Sequence, residues 1–260
     1  SVGVTGVQTC ALPISVEPSS GSVVYNNNLG WRNFPLGKLL SEAWGLPVRV
    51  ENDANAAALG EVCAGSARGA SSAMILTLGT GVGSGFVVEG RIWTGWNASA
   101  CEFGHMVIVK GGRPCTCGRR GCLEAYASAT GLIDMTREAM AAHPESLMNA
   151  LAEREGRVGG HTAFAAAERG DAAALRVVDE YVDYLACGVT NIVNGLQPEV
   201  VGIGGGVGRQ GDRLLAPLRQ KVYAEVYGGR GERFTRLTQC TLGYRAGLVG
   251  AAMAAMQSTV

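Results

Sequence analysis

Two hydrophobic periods alternate along the chain, and their alternation predicts an α/β protein. Apolar residues that recur every three or four positions predict helices that start near residues 54 and 246, and helices over residues 36–44, 123–139, 144–152, 161–167, 172–196 and 214–226. Short apolar runs predict a strand in PEVVGIGGG, strands over residues 48–51, 72–79 and 237–242, and a hairpin over residues 84–93 that turns at Glu89-Gly90. No apolar run approaches the roughly 20 residues that a membrane span needs.

Composition and charge narrow the class of ligand. Lysine plus arginine and aspartate plus glutamate number 22 each, so no net charge attracts nucleic acid or an anionic membrane. A small ligand is the better match. Glycine, with 39 residues, is about twice as frequent as usual and follows no repeat, which indicates loops whose backbone approaches a ligand closely.

The first glycine-rich segment, LTLGTGVGSG, lies between two predicted strands. Because no helix follows it, it does not match the dinucleotide-binding fingerprint. Such a hairpin can fold its amides and a threonine hydroxyl around phosphate oxygens, or it can be a tight turn with spare glycines. The candidate phosphate-binding residues are Gly79, Thr80, Gly81 and Gly83, with Gly85 beyond them.

The second glycine-rich segment, VVGIGGGVGRQGD, places Gly204, Gly205 and Gly206 between a strand and a helix. A nucleotide can bind against bare backbone at such a helix start, although the turn can equally be structural. Two glycine loops far apart in the chain together favour one nucleotide held between two parts of an α/β protein.

A cluster of soft metal ligands follows the spacing H-x9-C-x-C-x4-C. Four nitrogen and sulfur ligands without an open position are typical of a closed, structural Zn²⁺ site. The alternatives are reduced buried cysteines or disulfides, and the absence of a visible secretory segment argues against disulfides and for a cytoplasmic protein. The predicted ligands are His105, Cys115, Cys117 and Cys122. A zinc-bound loop would aim Glu102 and Glu124, which flank it, at sugar hydroxyls.

The segment VENDANAAALGE offers a candidate base. Asp53 follows a predicted strand and starts a predicted helix, so it is either an N-cap or a carboxylate kept ionised by the helix dipole. If a sugar hydroxyl attacks ATP, Asp53 is the natural proton acceptor, and Asn52 would orient the neighbouring hydroxyl.

Taken together, ENDANAAALGE, LTLGTGVGSG, CEFGHM, CTCGRRGCLE and VVGIGGG resemble the ROK family of sugar kinases and sugar-responsive repressors, in order as well as in spacing. The resemblance runs from about Leu29 to the final AGLVGAA. It implies an actin-like ATPase (ribonuclease H-like) fold whose two domains close on a sugar and ATP. It also implies that Gly79–Gly85 form the second phosphate motif and that Gly204–Gly206 form the adenosine motif.

The resemblance further implies the roles of the polar residues. Asp53 would be the catalytic base, and the zinc loop would be structural. His105 would bind zinc through one ring nitrogen and reach the sugar through the other. The sugar site implied by the resemblance is lined by Asn52, Asp53, Glu102, His105 and Glu124.

Two departures from the family pattern concern the start of the chain and Cys101. VTGVQTCALPI resembles a translated sequencing adapter, so we expect residues 1–15 to be non-native and the first part of the N-terminal domain, with its Asp-x-Gly-Gly-Thr phosphate hairpin, to be missing. The remnant of that domain would be residues 16–52 with 246–260, and residues 53–245 would form the large domain. Cys101 stands where the family usually has glycine, and its side chain would crowd the sugar loop.

The first hypothesis is an ATP-dependent hexose kinase that acts on glucose, with Mg²⁺ implied by the ATP chemistry and a homodimer implied by the family. NNNLGW, residues 26–31, resembles glucokinase-type members, although other hexoses suit the same polar residues. The alternatives are a sugar-responsive repressor of the same family and a sugar-binding fragment without turnover. Both glycine loops and Asp53 favour the kinase, even if this chain is a poor catalyst.

Overall fold

The computed structural model describes residues 15–17, 19–26, 29–228, 231 and 233–257. The segment that the sequence predicts to be non-native lies outside these residues, apart from Ser15. At the start of the described chain, strands β1 (Ser15–Glu17), β2 (Ser22–Asn26) and β3 (Trp31–Phe34) form an antiparallel sheet in that order. Helix α1 (Leu36–Trp44) follows with the predicted bounds.

The main sheet has five strands: β4 (Ser72–Leu78), β5 (Val82–Val88), β6 (Arg91–Ile92), β7 (Val200–Gly204) and β8 (Arg236–Gln239). Their order is β6-β5-β4-β7-β8, with β4, β7 and β8 parallel and with β5 antiparallel to both its neighbours. The hairpin turn at Glu89-Gly90 is confirmed. This mixed sheet confirms the α/β class.

Helices pack on both faces of this sheet. They are α2 (Asp53–Ala64), α3 (Glu124–Ala127), α4 (Ala129–Ala142), α5 (Leu147–Glu155), α6 (Thr162–Ala167), α7 (Ala172–Leu196), α8 (Gly205–Gly208), α9 (Asp212–Glu225) and α10 (Ala246–Gln257). Alternate residues of β4 serve the two faces, as the strand period requires. Met74 and Leu76 join the larger core with α3–α7 and α9, whereas Ile75 joins the smaller core with α2 and α10.

Three sequence predictions were wrong in detail. The run 48–51 forms no strand in the described chain, and Arg49 in it pairs with Glu51. The helix predicted over 123–139 is broken at Ser128, whose extended backbone lets its hydroxyl cap α4 by accepting from the Gly131 amide. The strand predicted over 237–242 ends at Gln239, and the Thr241 and Leu242 amides donate to the side chain of Glu61 instead of to the sheet.

The remaining helix predictions differ by a few residues at most. α7 has the predicted bounds, α10 begins at Ala246 as predicted, and the helix expected at 144–152 begins after its cap, Ser146. No helix in the described segments combines the length and apolar content needed to cross a bilayer.

Helices α2 and α10 approach each other backbone to backbone. A Cβ on Gly60 would overlap the carbonyl oxygen of Ala246, and a Cβ on Gly250 would overlap that of Ala56. Only glycine therefore fits at these two positions, because a larger side chain would overlap the backbone of the other helix. α2 is fixed against both α10 and the sheet.

We expect Gly250→Ala to lower the free energy of unfolding by about 3 kcal/mol or more, because the backbones must separate to admit a methyl group. Gly247→Ala, on the same helix with open space around it, is the matched control and should change stability by no more than about 1 kcal/mol. Denaturant unfolding of both variants measures the difference. Equal stability of the two variants would contradict the steric account.

Candidate functional site

Helix α2 begins with a chain of three polar residues. Asn52 is the N-cap: its Oδ1 accepts from the amides of Ala54 at 2.9 Å and Asn55 at 3.0 Å. Glu51 accepts from the Asn55 side-chain amide at 3.1 Å, which steadies the turn before the helix. The N-cap alternative for Asp53 was therefore wrong, because its neighbour fills that place and Asp53 is the first helical residue.

Asp53 lies in a largely desolvated place. Its Oδ1 accepts from the Ala54 amide at 2.9 Å. Burial raises the pKa of Asp53 and outweighs the backbone hydrogen bonds that lower it. The helix start was expected to keep Asp53 ionised, but its effect on the pKa is weaker than that of burial. Asp53 is therefore a stronger base than an exposed aspartate.

A cavity of about 700 Å³ opens at the carboxyl ends of β4, β7 and β8. Ligand sites of open α/β sheets lie at this edge. The predicted residues in its lining are Asp53, Gly79, Thr80, Gly204, Gly205 and Gly206. Sequence reasoning did not select Gln239, which also lines the cavity and ends strand β8. Its position at the end of a third parallel strand was the available signal.

The glycines of the first loop serve close approach and not an unusual backbone angle. Gly81, Gly83 and Gly85 all lack a positive φ, and a Cβ on Gly85 would lie 2.7 Å from the Ala54 carbonyl oxygen. Gly81 instead faces Glu124, whose Oε2 a Cβ would overlap. In the second loop, Gly205 has φ +79°, so the left-handed turn into α8 does need glycine.

The start of α4 is tied to the first glycine loop. The Ala129 amide donates to the Gly79 carbonyl at 2.8 Å, and the Thr130 hydroxyl donates to the Thr80 carbonyl at 2.8 Å. These two contacts explain why the chain breaks its helix at Ser128. The break aims the first turn of α4 at the loop.

The four predicted metal ligands come together. Their ligand atoms all lie within 4.8 Å of one another, with His105 Nδ1 3.6 Å from Cys115 Sγ and Cys117 Sγ 3.7 Å from Cys122 Sγ. A tetrahedral Zn²⁺ with bonds of about 2.0–2.1 Å to nitrogen and 2.3 Å to sulfur requires separations of roughly 3.5–3.8 Å. The donor set and its spacing therefore fit zinc.

The loop that carries these ligands has little regular structure. Bridges Val107↔Cys122 and Pro114↔Arg120 are its β pairings, and Gly118 turns with φ +87°. All cysteines of the described chain are free thiols, so the disulfide alternative finds no support there.

Glu124 links this loop to strand β5. Its Oε1 accepts from the Thr116 hydroxyl at 3.0 Å, and its Oε2 accepts from the Val82 amide at 3.0 Å. Oε1 also accepts from the Cys115 thiol at 3.8 Å, whereas Oε2 keeps a second lone pair for another donor. The residue thus joins the loop to the strand that follows the first glycine turn.

Glu102 lies near Asp53 and Glu124 but is not among the residues that line the cavity. Desolvation raises the pKa of its carboxyl; His105 lowers it, and the nearby charges of Asp53 and Glu124 add to the rise. Asp53 and the flanks of the loop are therefore neighbours in the fold, although 49 positions separate Asp53 from Glu102 in the sequence.

Ser84 holds the backbone on both sides of Glu102. Its buried hydroxyl donates to the Cys101 carbonyl and accepts from the Phe103 amide at 3.0 Å. Cys101 has φ +67°, a left-handed angle that an L side chain rarely adopts. Cys101 therefore carries backbone strain, and the crowding of the sugar loop by its side chain stays a prediction.

Comparisons with known proteins agree with this geometry. The model of the ROK family matches residues 3–258. A glucokinase of Halalkalibacterium halodurans is 43% identical over 92% of this chain and 72% of its own length. A crystal structure of a ROK family glucokinase from Streptomyces griseus, in complex with glucose and AMPPNP, superposes with a TM-score of 0.84 and 33% identity over 94% of this chain and 80% of that one.

A regulator also matches, at lower identity. A putative xylose repressor of a Caldicellulosiruptor species is 32% identical over 86% of this chain and 56% of its own length. The structural likeness confirms the actin-like (ribonuclease H-like) class that the sequence predicts.

We expect Asp53→Asn to stabilise the fold at neutral pH. The pKa of Asp53 is higher in the folded state than its ordinary value of 3.8. The free energy of unfolding therefore falls as pH rises from 3.8 through the folded pKa, and an asparagine at this position causes no such fall. The gain should disappear as pH falls toward 3.8. Thermal unfolding across pH measures it.

Asp171→Asn is the matched control with the opposite sign. Desolvation raises the pKa of Asp171, but hydrogen bonds from the Ala174 and Leu147 amides outweigh this effect and hold the pKa below its ordinary range. Its stabilising effect is present at neutral pH and lost as pH falls through that lowered pKa, so the variant should be less stable at pH 7. The same sign for both variants would refute the burial account of Asp53.

Proposed function

The chain belongs to the ROK family, and from this premise we propose that it transfers the γ-phosphoryl group of ATP to glucose, giving glucose 6-phosphate. Support comes from the glucokinase relative at 43% identity and from the likeness to a glucokinase that binds glucose and AMPPNP. The observation that carries the proposal is the cavity, which Asp53 shares with both glycine loops.

Asp53 acts as the base in this proposal. The sugar hydroxyl oxygen attacks the γ-phosphorus, the bond from that phosphorus to the bridging oxygen breaks, and ADP leaves. Asp53 takes the hydroxyl proton late in the step. Its raised pKa makes it a better acceptor, provided that it is ionised before substrate binds. Mg²⁺ bound with ATP supplies positive charge that neutralises the phosphate oxygens.

The nucleotide is held by backbone. Thr80, Gly81 and Gly83 would donate amides and a hydroxyl to phosphate oxygens, and Gly79 would close the turn through its amide, which donates to the Gly81 carbonyl at 3.0 Å. Gly204, Gly205 and Gly206 would let the nucleoside lie against the turn after β7. Both turns follow parallel strands that end at the same edge of the sheet, which is why one ligand can reach both.

Polar side chains around Asp53 hold the sugar in this proposal. We assign this role to Asn52, Glu102, His105 and Glu124. Glu102 has the strongest support, because Ser84 holds the backbone on both sides of it and because the charges of Asp53 and Glu124 act on its carboxyl. The ring of His105 has Nδ1 on the cysteine side, which leaves Nε2 for a sugar hydroxyl.

Zinc is structural in this proposal. His105, Cys115, Cys117 and Cys122 would hold it, and the metal would fix a loop that has few β pairings of its own. The loop in turn positions Glu124 through Thr116. A homodimer, a cytoplasmic location and the division into domains at residues 52–53 and 245–246 stay predictions.

The repressor alternative is weaker. The repressor relative is less similar than the glucokinase, 32% against 43% identity, and it shares 56% of its length with this chain. A sugar sensor also has no use for a desolvated base beside a nucleotide cavity. A kinase assay distinguishes the kinase from the third alternative, a sugar-binding fragment without turnover.

We expect Asp53→Asn to lower kcat by roughly 10²- to 10⁴-fold, because the hydroxyl loses its proton acceptor. Glucose affinity, measured by calorimetry, should change little. In the unaltered chain kcat should fall as pH falls through the raised pKa of Asp53, since the protonated carboxyl accepts no proton. A coupled assay with ATP and a panel of hexoses measures these rates.

The control for this substitution is Asp171→Asn, which removes a carboxylate far from the cavity lining and should leave kcat unchanged. An Asp53→Asn variant with the kcat of the unaltered chain would remove Asp53 from the role of base. Turnover of a hexose other than glucose would correct the substrate and keep the mechanism.

We expect one zinc per chain by elemental analysis, because two pairs of ligand atoms already have tetrahedral separations and all four atoms lie within 4.8 Å of one another. Cys117→Ser should lose the metal and bind glucose more weakly, since the loop that aims Glu124 loosens. Cys187→Ser, a partly buried cysteine outside the cluster, is the matched control and should keep both. Metal-free protein, or unchanged glucose affinity in Cys117→Ser, would count against the structural role.

A further inference from the structure

Glu61 is the buried charged residue that the proposed chemistry does not use. It lies on α2, two turns after Asp53, and is 1% exposed. Every other charged residue of the described chain is more exposed. Burial of a carboxylate is costly unless it is fully hydrogen-bonded, so its partners reveal what it holds.

Five donors surround the carboxylate. Oε2 accepts from the Ser66 amide and hydroxyl at 2.8 and 3.0 Å, and from the Thr241 amide and hydroxyl at 3.2 and 3.4 Å. Oε1 accepts from the Leu242 amide at 2.8 Å. Ser66 follows α2 directly, but Thr241 and Leu242 lie 180 and 181 positions away.

The distant partners lie within a segment most of whose other residues line the cavity. They connect Cys240, which follows β8, to a short helical turn over Gly243–Arg245. Gln239, Cys240, Gly243 and Tyr244 line the cavity, and so does Glu61, whereas Thr241 and Leu242 do not line it and donate their amides to the Glu61 carboxylate. The carboxylate thus ends strand β8 and sets the course of residues 240–245.

We propose that Glu61 is a positioning residue for the nucleotide, holding residues 240–245 against the cavity at a fixed distance from Asp53. This inference rests on the proposed kinase function. Because both acids lie on one helix, eight residues or about 12 Å apart, the nucleotide wall and the base move as one body. A neutral residue does not replace the carboxylate, since one side of it would present a hydrogen to amide donors.

The test compares Glu61→Gln with Ser66→Ala. Glutamine keeps the volume, but its Nε2 faces an amide donor in either orientation. We expect the Kd for AMPPNP, measured by calorimetry, to rise about ten-fold or more while the Kd for glucose stays within about two-fold. Ser66→Ala removes one hydroxyl donor to the carboxylate and the side-chain hydrogen bond of Ser66 with Cys240, but it leaves the Thr241 and Leu242 amides on Glu61, so both Kd values should stay within about two-fold. In steady state, KM for ATP should rise while KM for glucose does not.

Glu61→Asp is the second variant, for use if Glu61→Gln does not fold by circular dichroism. It keeps the charge but is one methylene too short to reach Ser66 and Leu242 together, so the same rise in Kd for AMPPNP is expected. Unchanged AMPPNP binding in a folded variant, or equal losses of AMPPNP and glucose binding, would overturn the inference alone. An unaltered chain that binds glucose but no AMPPNP would overturn the kinase proposal, and this inference with it.

Discussion

The close approach of helix α2 to strand β5 and helix α10 is the constraint on which the rest of the structure depends. On the strand side, a Cβ on Gly83 would lie 3.1 Å from the Ala54 Cβ, and Gly85 faces the Ala54 carbonyl. On the helix side, Gly60 and Gly250 let the two backbones touch. Alanine and glycine at these facing positions hold the helix that carries Asp53 at a set height above the sheet.

This steric constraint gives each polar residue of α2 a separate task. Asn52 caps the helix, so Asp53 does not have to. Glu61 ties the helix to the segment after β8. Asp53 accepts from the local Ala54 amide, and burial raises its pKa. A helix held by backbone contacts and two other polar side chains can carry one desolvated carboxylate without losing its position.

The sequence predicted what depends on local pattern. Helix α7 and the turn at Glu89-Gly90 follow from hydrophobic period and turn chemistry, and the spacing of the cysteines predicted a cluster that the fold brings together. Ser128 broke its predicted helix because the partners of the next residues, Gly79 and Thr80, lie about 50 positions away. Glu61 ends the segment VENDANAAALGE, but no local pattern in that segment indicates its partners Thr241 and Leu242. The sequence pattern indicates contacts between residues that are close along the chain, whereas the break at Ser128 and the distant contacts of Glu61 depend on residues that only the fold brings near.

The position of Gly81 determines how much this turn tolerates mutation. Its backbone angle suits any residue, yet a methyl group there would displace the carboxylate of Glu124. That carboxylate would then leave both Val82 and Thr116. Substitution of Gly81 would therefore be selected against because it damages the cysteine loop, a constraint that the conformation of the turn itself does not reveal.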